Sequence, residues 1–227
     1  MRIQAYAVYE GSVSAMERAC VIAGAGEYYG RAVSPAPEDY VIAADAGYLH
    51  LSGMGVRIDE VIGDFDSTGY RPDHPNVRQL PVEKDDTDML FALRTGVAKG
   101  FRTFRLYGGT GGRLDHTLAN IQCLAWLARQ GLTGYLYGDG AVLTALHEGE
   151  IAFDALDEGI VSVFALGERA DGVTIEGLKY TVNGASLTCD FPLGVSNAFI
   201  GQAARVAVAH GTLLISFPDG AVIRRRT

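Results

Sequence analysis

The chain has 227 residues, 48% of them hydrophobic and 20% charged, which is the balance of a packed protein and excludes a disordered one. Twenty-seven acidic against nineteen basic side chains leave a net charge of −8, so a nucleic-acid binder working through a general basic surface is not expected. No apolar stretch reaches the ~18 residues of a spanning helix, and MRIQAYAVYEG at the N-terminus lacks the basic start and long apolar run of a leader, so a cytoplasmic protein with no membrane span is expected.

From Ile3 to about Gly140 short apolar runs alternate with longer amphipathic ones. Tyr40–Ala44 and Glu60–Gly63 are branched-rich and each is followed by an aspartate; Phe104–Tyr107 and Tyr135–Tyr137 are similar runs flanked by glycine. Met89, Leu90, Leu93 and Val97 recur at helical spacing, as do Leu114, Leu118, Ile121, Leu124 and Ala128. A helix over Asp86–Lys99 is predicted, with Asp86, Thr87 and Asp88 as cap and first-turn charge and Gly100 beyond its end. Strands alternating with helices predict an α/β domain with a mostly parallel sheet covered on both faces.

After His147 the runs Ile151–Phe153, Ile160–Leu166, Val173–Ile175, Ser186–Asp190, Ala204–Ala209 and Leu213–Phe217 are short and spaced by Gly, Asp or Asn. They predict a small all-β C-terminal domain, an antiparallel sandwich or barrel. The boundary is placed near Ala145–Gly149, giving an α/β domain over 1–145 and a β domain over 146–227. Arg224–Arg226 reads as a solvated basic end. Cys20, Cys123 and Cys189 are isolated and odd in number, and read as reduced, small apolar residues.

The window Asp59–Asp88 holds nine acids against three bases. A solvated acidic face is the simple reading of such a window. Asp45 and Asp64, however, fall just past the carboxyl ends of predicted strands, where open α/β sheets place ligands. Asp64 and Asp66 stand two apart in GDFDS, so both carboxylates can converge from one turn, and Asp88 opens the helix after KDDTD. Carboxylates clustered by a fold are costly unless a hard cation neutralises them, and magnesium with substrate phosphates suits them. Asp64, Asp66 and Asp88 are therefore the candidate metal ligands.

A second constellation is GGTGGRLDHTLAN, Gly108–Asn120. Four glycines between a strand and a helix let backbone N–H groups approach an anion, and the helix start adds partial positive charge. Arg113 can fork onto a phosphate; the alternative is a glycine-rich turn with Arg113 and Asp115 paired to each other. Asp115 and His116 project about 100° apart on a helix, so they cannot serve one substrate atom together. His116, His50, His74, His147 and His210 are read as non-functional.

Taken in order, ADAG (Ala44–Gly47), GDFDS (Gly63–Ser67), KDDTD (Lys84–Asp88), GGTGGRLDHTLAN, GLKY (Gly177–Tyr180) and VSNAF (Val195–Phe199) resemble the thiamine pyrophosphokinase family. The resemblance implies an α/β catalytic domain followed by a β-sandwich, assembled as a homodimer with sites between subunits. It implies transfer of the terminal diphosphate of ATP to the hydroxyl of thiamine, with magnesium, releasing AMP. Asp64, Asp66 and Asp88 would hold the metal and Arg113 and Asp115 would act at the phosphates. Asp45, Lys84, Asp85, Gly111 and Asn120 would line the bound substrates. Tyr180 would stack on thiamine from the partner subunit, and Ser196 and Asn197 would lie near its ring; without the resemblance, Tyr180 reads as a strand-end core aromatic and Ser196–Asn197 as a turn. The family's opening strand ends in a glycine pair, and the segment matched to it is AVYEGS (Ala7–Ser12), which has none. ADAG stands where the family has ADGG or ADRG, and SNAF where it has SNEF.

Two other readings remain open. DFDST at Asp64–Thr68 fits the DxDx[ST] pattern of aspartyl-nucleophile phosphatases, which would make Asp64 the nucleophile and Asp66 the acid/base. A non-catalytic thiamine or nucleotide sensor on the same fold is the other, and its signature would be a broken metal set.

Overall fold

A computed structural model describes residues 18–65, 69, 72–81 and 85–226. AVYEGS, Asp66 and Lys84 lie outside these described residues. The sheet runs from β1 (Ala19–Ala23) through β2 (Tyr40–Ala44), β3 (Glu60–Gly63) and β4 (Val77–Gln79) on one side, and β5 (Thr103–Tyr107) and β6 (Thr133–Tyr137) on the other. These six pair in parallel in the order β6-β5-β1-β2-β3-β4. Alternate residues of β1 serve opposite faces. Cys20 and Ile22 pack with α2 (Asp88–Ala98) and α3 (Leu114–Ala128), while Val21 and Ala23 pack with Leu51 of α1 (Gly47–Gly53). Burial of one such side chain as Leu51 or Leu93 contributes about 1.5–3 kcal/mol, which is why both faces of the sheet read as apolar.

The Thr87 hydroxyl accepts from the Leu90 N–H at 3.2 Å, so α2 starts at Asp88, two residues later than predicted. Gly100 beyond its end has φ +83°. Among the described residues no helix follows α3, and none is long and apolar enough to cross a membrane.

The chain then turns antiparallel. β7 (Ala141–Leu156) pairs with β6 and continues through residues 145–149, so one strand joins the two parts of the chain. β8 (Ile160–Ala165), β9 (Arg169–Glu176), β10 (Val182–Thr188), β11 (Gly194–Ala198), β12 (Gln202–Pro218) and β13 (Ile223–Arg226) complete the C-terminal part. Ala204–Ala209 and Leu213–Phe217, predicted as two strands, are one. Between them Gly211, with φ +97°, forms a bulge facing a matching kink at Glu148 of β7, φ +44°. Before the bulge β12 pairs with β9, and after it with β8. Phe153 meets Phe199 and Phe217 edge-on at 5.5 Å in the core these strands enclose.

Arg224 and Arg226 are exposed, as a solvated end would be, but Arg225 is not. The run lies in β13 against β7, where Arg224 pairs with Asp154 and Arg226 with Glu150, while half-buried Arg225 donates to Thr144 Oγ1 and Ala145 O. The cysteines also divide. Cys20 and Cys123 are buried, but Cys189 is exposed at the end of β10 and is no core residue. Burial raises the Cys123 thiol to about 11 and, helped by Glu60, pushes Cys20 up as well. Iodoacetamide at about pH 8 is therefore expected to modify Cys189 alone in the folded protein, because only a thiolate attacks. Peptide mapping checks this, and alkylation of Cys20 or Cys123 before unfolding would contradict it.

Candidate active site

Parallel strands end at one edge, and there the chain places its unusual backbone. β1 is followed by Gly24, β2 by Asp45, β3 by Asp64 and β5 by Gly108. Strand order reverses between β1 and β5, so the crevice at that edge opens beside Gly24 and Gly108, where doubly wound sheets bind ligands. Asp45 (φ +48°) and Phe65 (φ +60°) both hold left-handed backbone without being glycine, a conformation costing of order 1–3 kcal/mol that clusters at functional sites. The Asp45 N–H donates to Ile62 O at 2.8 Å, tying the end of β2 to β3. A Cβ on Gly63 would lie 3.0 Å from the Asp45 Cα, so Asp45 and the start of GDFDS are close neighbours. Ala46 has ordinary helical backbone (φ −64°), so the departure ADAG costs nothing there. Gly47 is the position that needs glycine, because a Cβ would sit 2.0 Å from Ala23 O.

Among the described residues, β1 is the strand followed by a pair of glycines, Gly24 and Gly26. Gly24-Ala25-Gly26-Glu27 zips onto the glycine loop through Gly24 N–H to Tyr107 O, Gly26 N–H to Gly108 O and Glu27 N–H to Thr110 O, each 2.8 Å. Gly108 has φ +59°, and a Cβ there would come 2.5 Å from Gly24 O, so both the turn and the approach demand glycine. Gly111 and Gly112 also take positive φ. Buried Asn120 donates to Gly109 O at 2.7 Å, so its side chain holds the loop from behind.

Arg113 caps α3 and is exposed. Its Nε and Nη2 fork onto Asp115 at 3.1 and 2.6 Å. The guanidinium holds the Asp115 carboxyl below the usual carboxylate range. Both groups are solvated beside the loop, so Arg113 can exchange this partner for a phosphate.

The acidic window splits in two. Asp59 and Glu60 sit at the opposite, amino-end edge. Asp59 accepts from Val41 N–H and pairs with Arg57, while buried Glu60 is met by Arg78, Lys99 and the Tyr40 hydroxyl. These are structural. Asp64 and Asp88 remain at the ligand edge, both half-buried, with Asp85 exposed just before α2. Their hard carboxylate oxygens fit magnesium, which takes few protein oxygens and keeps waters. Among the described residues no three His, Cys, Asp or Glu side chains gather to hold a metal, so the proposed set depends on Asp66 as its third member.

Tyr180, Ser196 and Asn197 form a separate group. Asn197 is buried and its carboxamide is fully engaged. Oδ1 accepts from Tyr180 N–H and Ala198 N–H, both at 2.9 Å, and Nδ2 donates to Tyr180 O at 2.6 Å. Lys179 N–H to Ala198 O, 2.9 Å, continues the bracket through main chain, so the alanine in SNAF disturbs none of it. The Tyr180 ring is 60% exposed, not a core aromatic, with the Lys179 ammonium 5.3 Å from its centroid. Ser196 is exposed with φ +60°, and its N–H donates to Ser162 Oγ. From β9, which precedes Tyr180, to β5, which precedes the glycine loop, the sheet order runs β9-β12-β7-β6-β5, roughly 19 Å along the sheet at ~4.8 Å per strand.

Glycine segments at a switch point with carboxylates on the same edge define an α/β protein suited to a phosphorylated ligand. The family model described as "Thiamin pyrophosphokinase, catalytic domain" matches residues 36–136, and that described as "Thiamin pyrophosphokinase, vitamin B1 binding domain" matches 150–213; the chain belongs to the thiamin pyrophosphokinase family. It is 29% identical over 182 residues to the thiamine pyrophosphokinase of Bacillus subtilis (strain 168), spanning 77% of this chain and 85% of that one. Among solved structures, the thiamin pyrophosphokinase of Geobacillus thermodenitrificans superposes with a TM-score of 0.74 at 27% identity, over 88% of this chain and 97% of that one. The enzyme from Candida albicans shares the fold with a TM-score of 0.70 at 14% identity, over 89% of each chain.

Proposed function

We propose that this protein transfers the diphosphate of ATP to the hydroxyl of thiamine, giving thiamine diphosphate and AMP. The observation that carries the reading is the junction of Gly24–Gly26 with Gly108–Gly112 at the switch point, on the edge that carries Asp45, Asp64 and Asp88, in a chain matching both family models in series. Residues 1–145 would form the catalytic domain and 146–227 a thiamine-binding β-sandwich. Loop N–H groups and the start of α3 would hold the triphosphate, and Arg113 would leave Asp115 to neutralise charge on the phosphate oxygens. Magnesium, held by Asp64, Asp66 and Asp88, would supply further neutralisation. Asp45, Lys84, Asp85 and Gly111 would line the substrates, and Asn120 would fix the loop from behind. The thiamine oxygen bonds to the β-phosphorus as that phosphorus parts from the α,β-bridging oxygen, AMP leaves with the bond pair, and the hydroxyl proton passes to a carboxylate or water at the edge. Positioning accounts for most of the rate.

Label from [γ-32P]ATP is expected to appear in thiamine diphosphate, with none bound covalently to the protein. Label on Asp64 would instead establish the phosphatase reading.

The separation of Tyr180 from the glycine loop supports a homodimer in which the partner's Tyr180 completes each site. Exposed Phe191, Leu193, Val195 and Ile200 offer the apolar face that a second copy would cover. Mixing unfolded Asp64→Asn and Tyr180→Ala chains and refolding them should restore about a quarter of wild-type sites, since each heterodimer holds one intact pair. Activity no greater than the sum of the two variants would place both residues in one subunit.

A further inference from the structure

We propose that the Arg31–Asp219 ion pair is a positioning latch that holds the glycine loop in its nucleotide-binding form from the C-terminal part of the chain. Its kinetic arm rests on the diphosphotransfer reading.

Gly108–Gly112 carries no side chain larger than Thr110, so it cannot brace itself. Its geometry is copied from the strand-like segment Gly24–Glu27 through the three 2.8 Å bonds. That segment ends in a turn closed by Arg31 N–H to Tyr28 O, 2.9 Å, with Tyr29 (φ +53°) and Gly30 (φ +71°) at its corners. Thr110 Oγ1 donates to the Tyr29 hydroxyl at 3.3 Å, so the corner touches the loop again.

Arg31 then reaches out of this segment. Its guanidinium pairs with Asp219, in the turn between β12 and β13, and lies 5.1 Å over the Tyr137 ring at the end of β6. The Asp219 N–H donates to Gly140 O at 3.1 Å, which fixes that turn on the β6–β7 connection. Tyr137 stacks on Tyr107 at 4.5 Å and 7°, and Tyr107 is the residue before Gly108. The clasp therefore grips the loop from two sides, through the Gly24–Arg31 segment and through the tyrosine stack. The Arg31 side chain is only 20% exposed and its Nε is buried without a partner among the described residues, so the charge depends on Asp219 and the Tyr137 face.

The test uses the full chain with Asp219→Asn, Arg31→Met and Arg31→Lys. Without thiamine, calorimetry should show the Kd for Mg-ATP raised roughly five- to tenfold in the first two variants and partly restored in the third, as lysine keeps the charge but not the fork. The Gly26 and Glu27 amides should exchange with solvent about tenfold faster, while the thiamine KM at saturating ATP stays within about twofold. A lowered Tm with unchanged Mg-ATP affinity and unchanged amide exchange would reduce the pair to a structural tie and overturn the proposal. Equal weakening of both substrates would do the same. Wild-type protein that binds Mg-ATP but makes no thiamine diphosphate would overturn the diphosphotransfer reading alone, leaving Kd and amide exchange to decide the latch. Wild-type protein that fails to bind Mg-ATP would overturn both.

Discussion

Asp64→Asn is expected to lower turnover roughly a thousandfold, about 4 kcal/mol of transition-state stabilisation, while leaving the fold intact. The amide keeps the shape of the side chain and removes its charge. Asp64 follows β3 directly, at an edge where Asp45 is tied to β3 through Ile62 O and Phe65 is held in left-handed backbone. On the proposed reading such a frame would fix the carboxylate against the phosphates of a chelated nucleotide, where its charge would count most as the diphosphate moves. Steady-state assays over a range of magnesium concentrations, with a thermal melt alongside, check this. Near-wild-type turnover in Asp64→Asn would remove the residue from the metal set.

Asn197→Ala should destabilise the protein by about 2–4 kcal/mol and raise the thiamine KM roughly tenfold. A buried carboxamide that accepts from two N–H groups and donates to one carbonyl leaves three backbone groups without partners when truncated. Two of the three belong to Tyr180, so the ring loses its frame as well. Tyr180→Ala alone should cost on the order of 1 kcal/mol in thiamine binding, about fivefold in KM, with stability unchanged. Asn197→Asp divides the bracket, because its oxygens still accept from both N–H groups but cannot donate to Tyr180 O. Urea unfolding and thiamine KM values separate the cases. An Asn197→Ala protein with wild-type stability and KM would show that the bracket does not hold the ring.

Much of the frame was readable from periodicity. β2, β3, β5 and β6 are buried strands that end in aspartate or glycine, and α2 and α3 announce themselves by apolar spacing and by Thr87. Other features depend on partners far away in sequence. ACVIA followed by GAG gives no strand signal, because a short run of small apolar residues has no period to detect. Ala204–Ala209 and Leu213–Phe217 read as separate strands because the glycine of a bulge interrupts an apolar run as a turn would. Three consecutive arginines read as solvated, and Arg225 departs from that because Thr144 and Ala145 meet it only across β7. Asp59 and Glu60 shared a window with Asp64, yet a strand four residues long carries them to the other edge of the sheet. Asn197 was marked by resemblance alone, and its grip on Tyr180 became visible only once β11 lay beside the Lys179–Tyr180 turn. Arg31 gave no signal at all, since its partner lies 188 positions later in the chain.

The most direct measurement is AMP release from Mg-ATP by the purified protein, with and without thiamine. AMP that depends on thiamine, matched mole for mole by thiamine diphosphate, is the expected result. ADP or inorganic phosphate as the product, or AMP at the same rate without thiamine, would contradict diphosphate transfer.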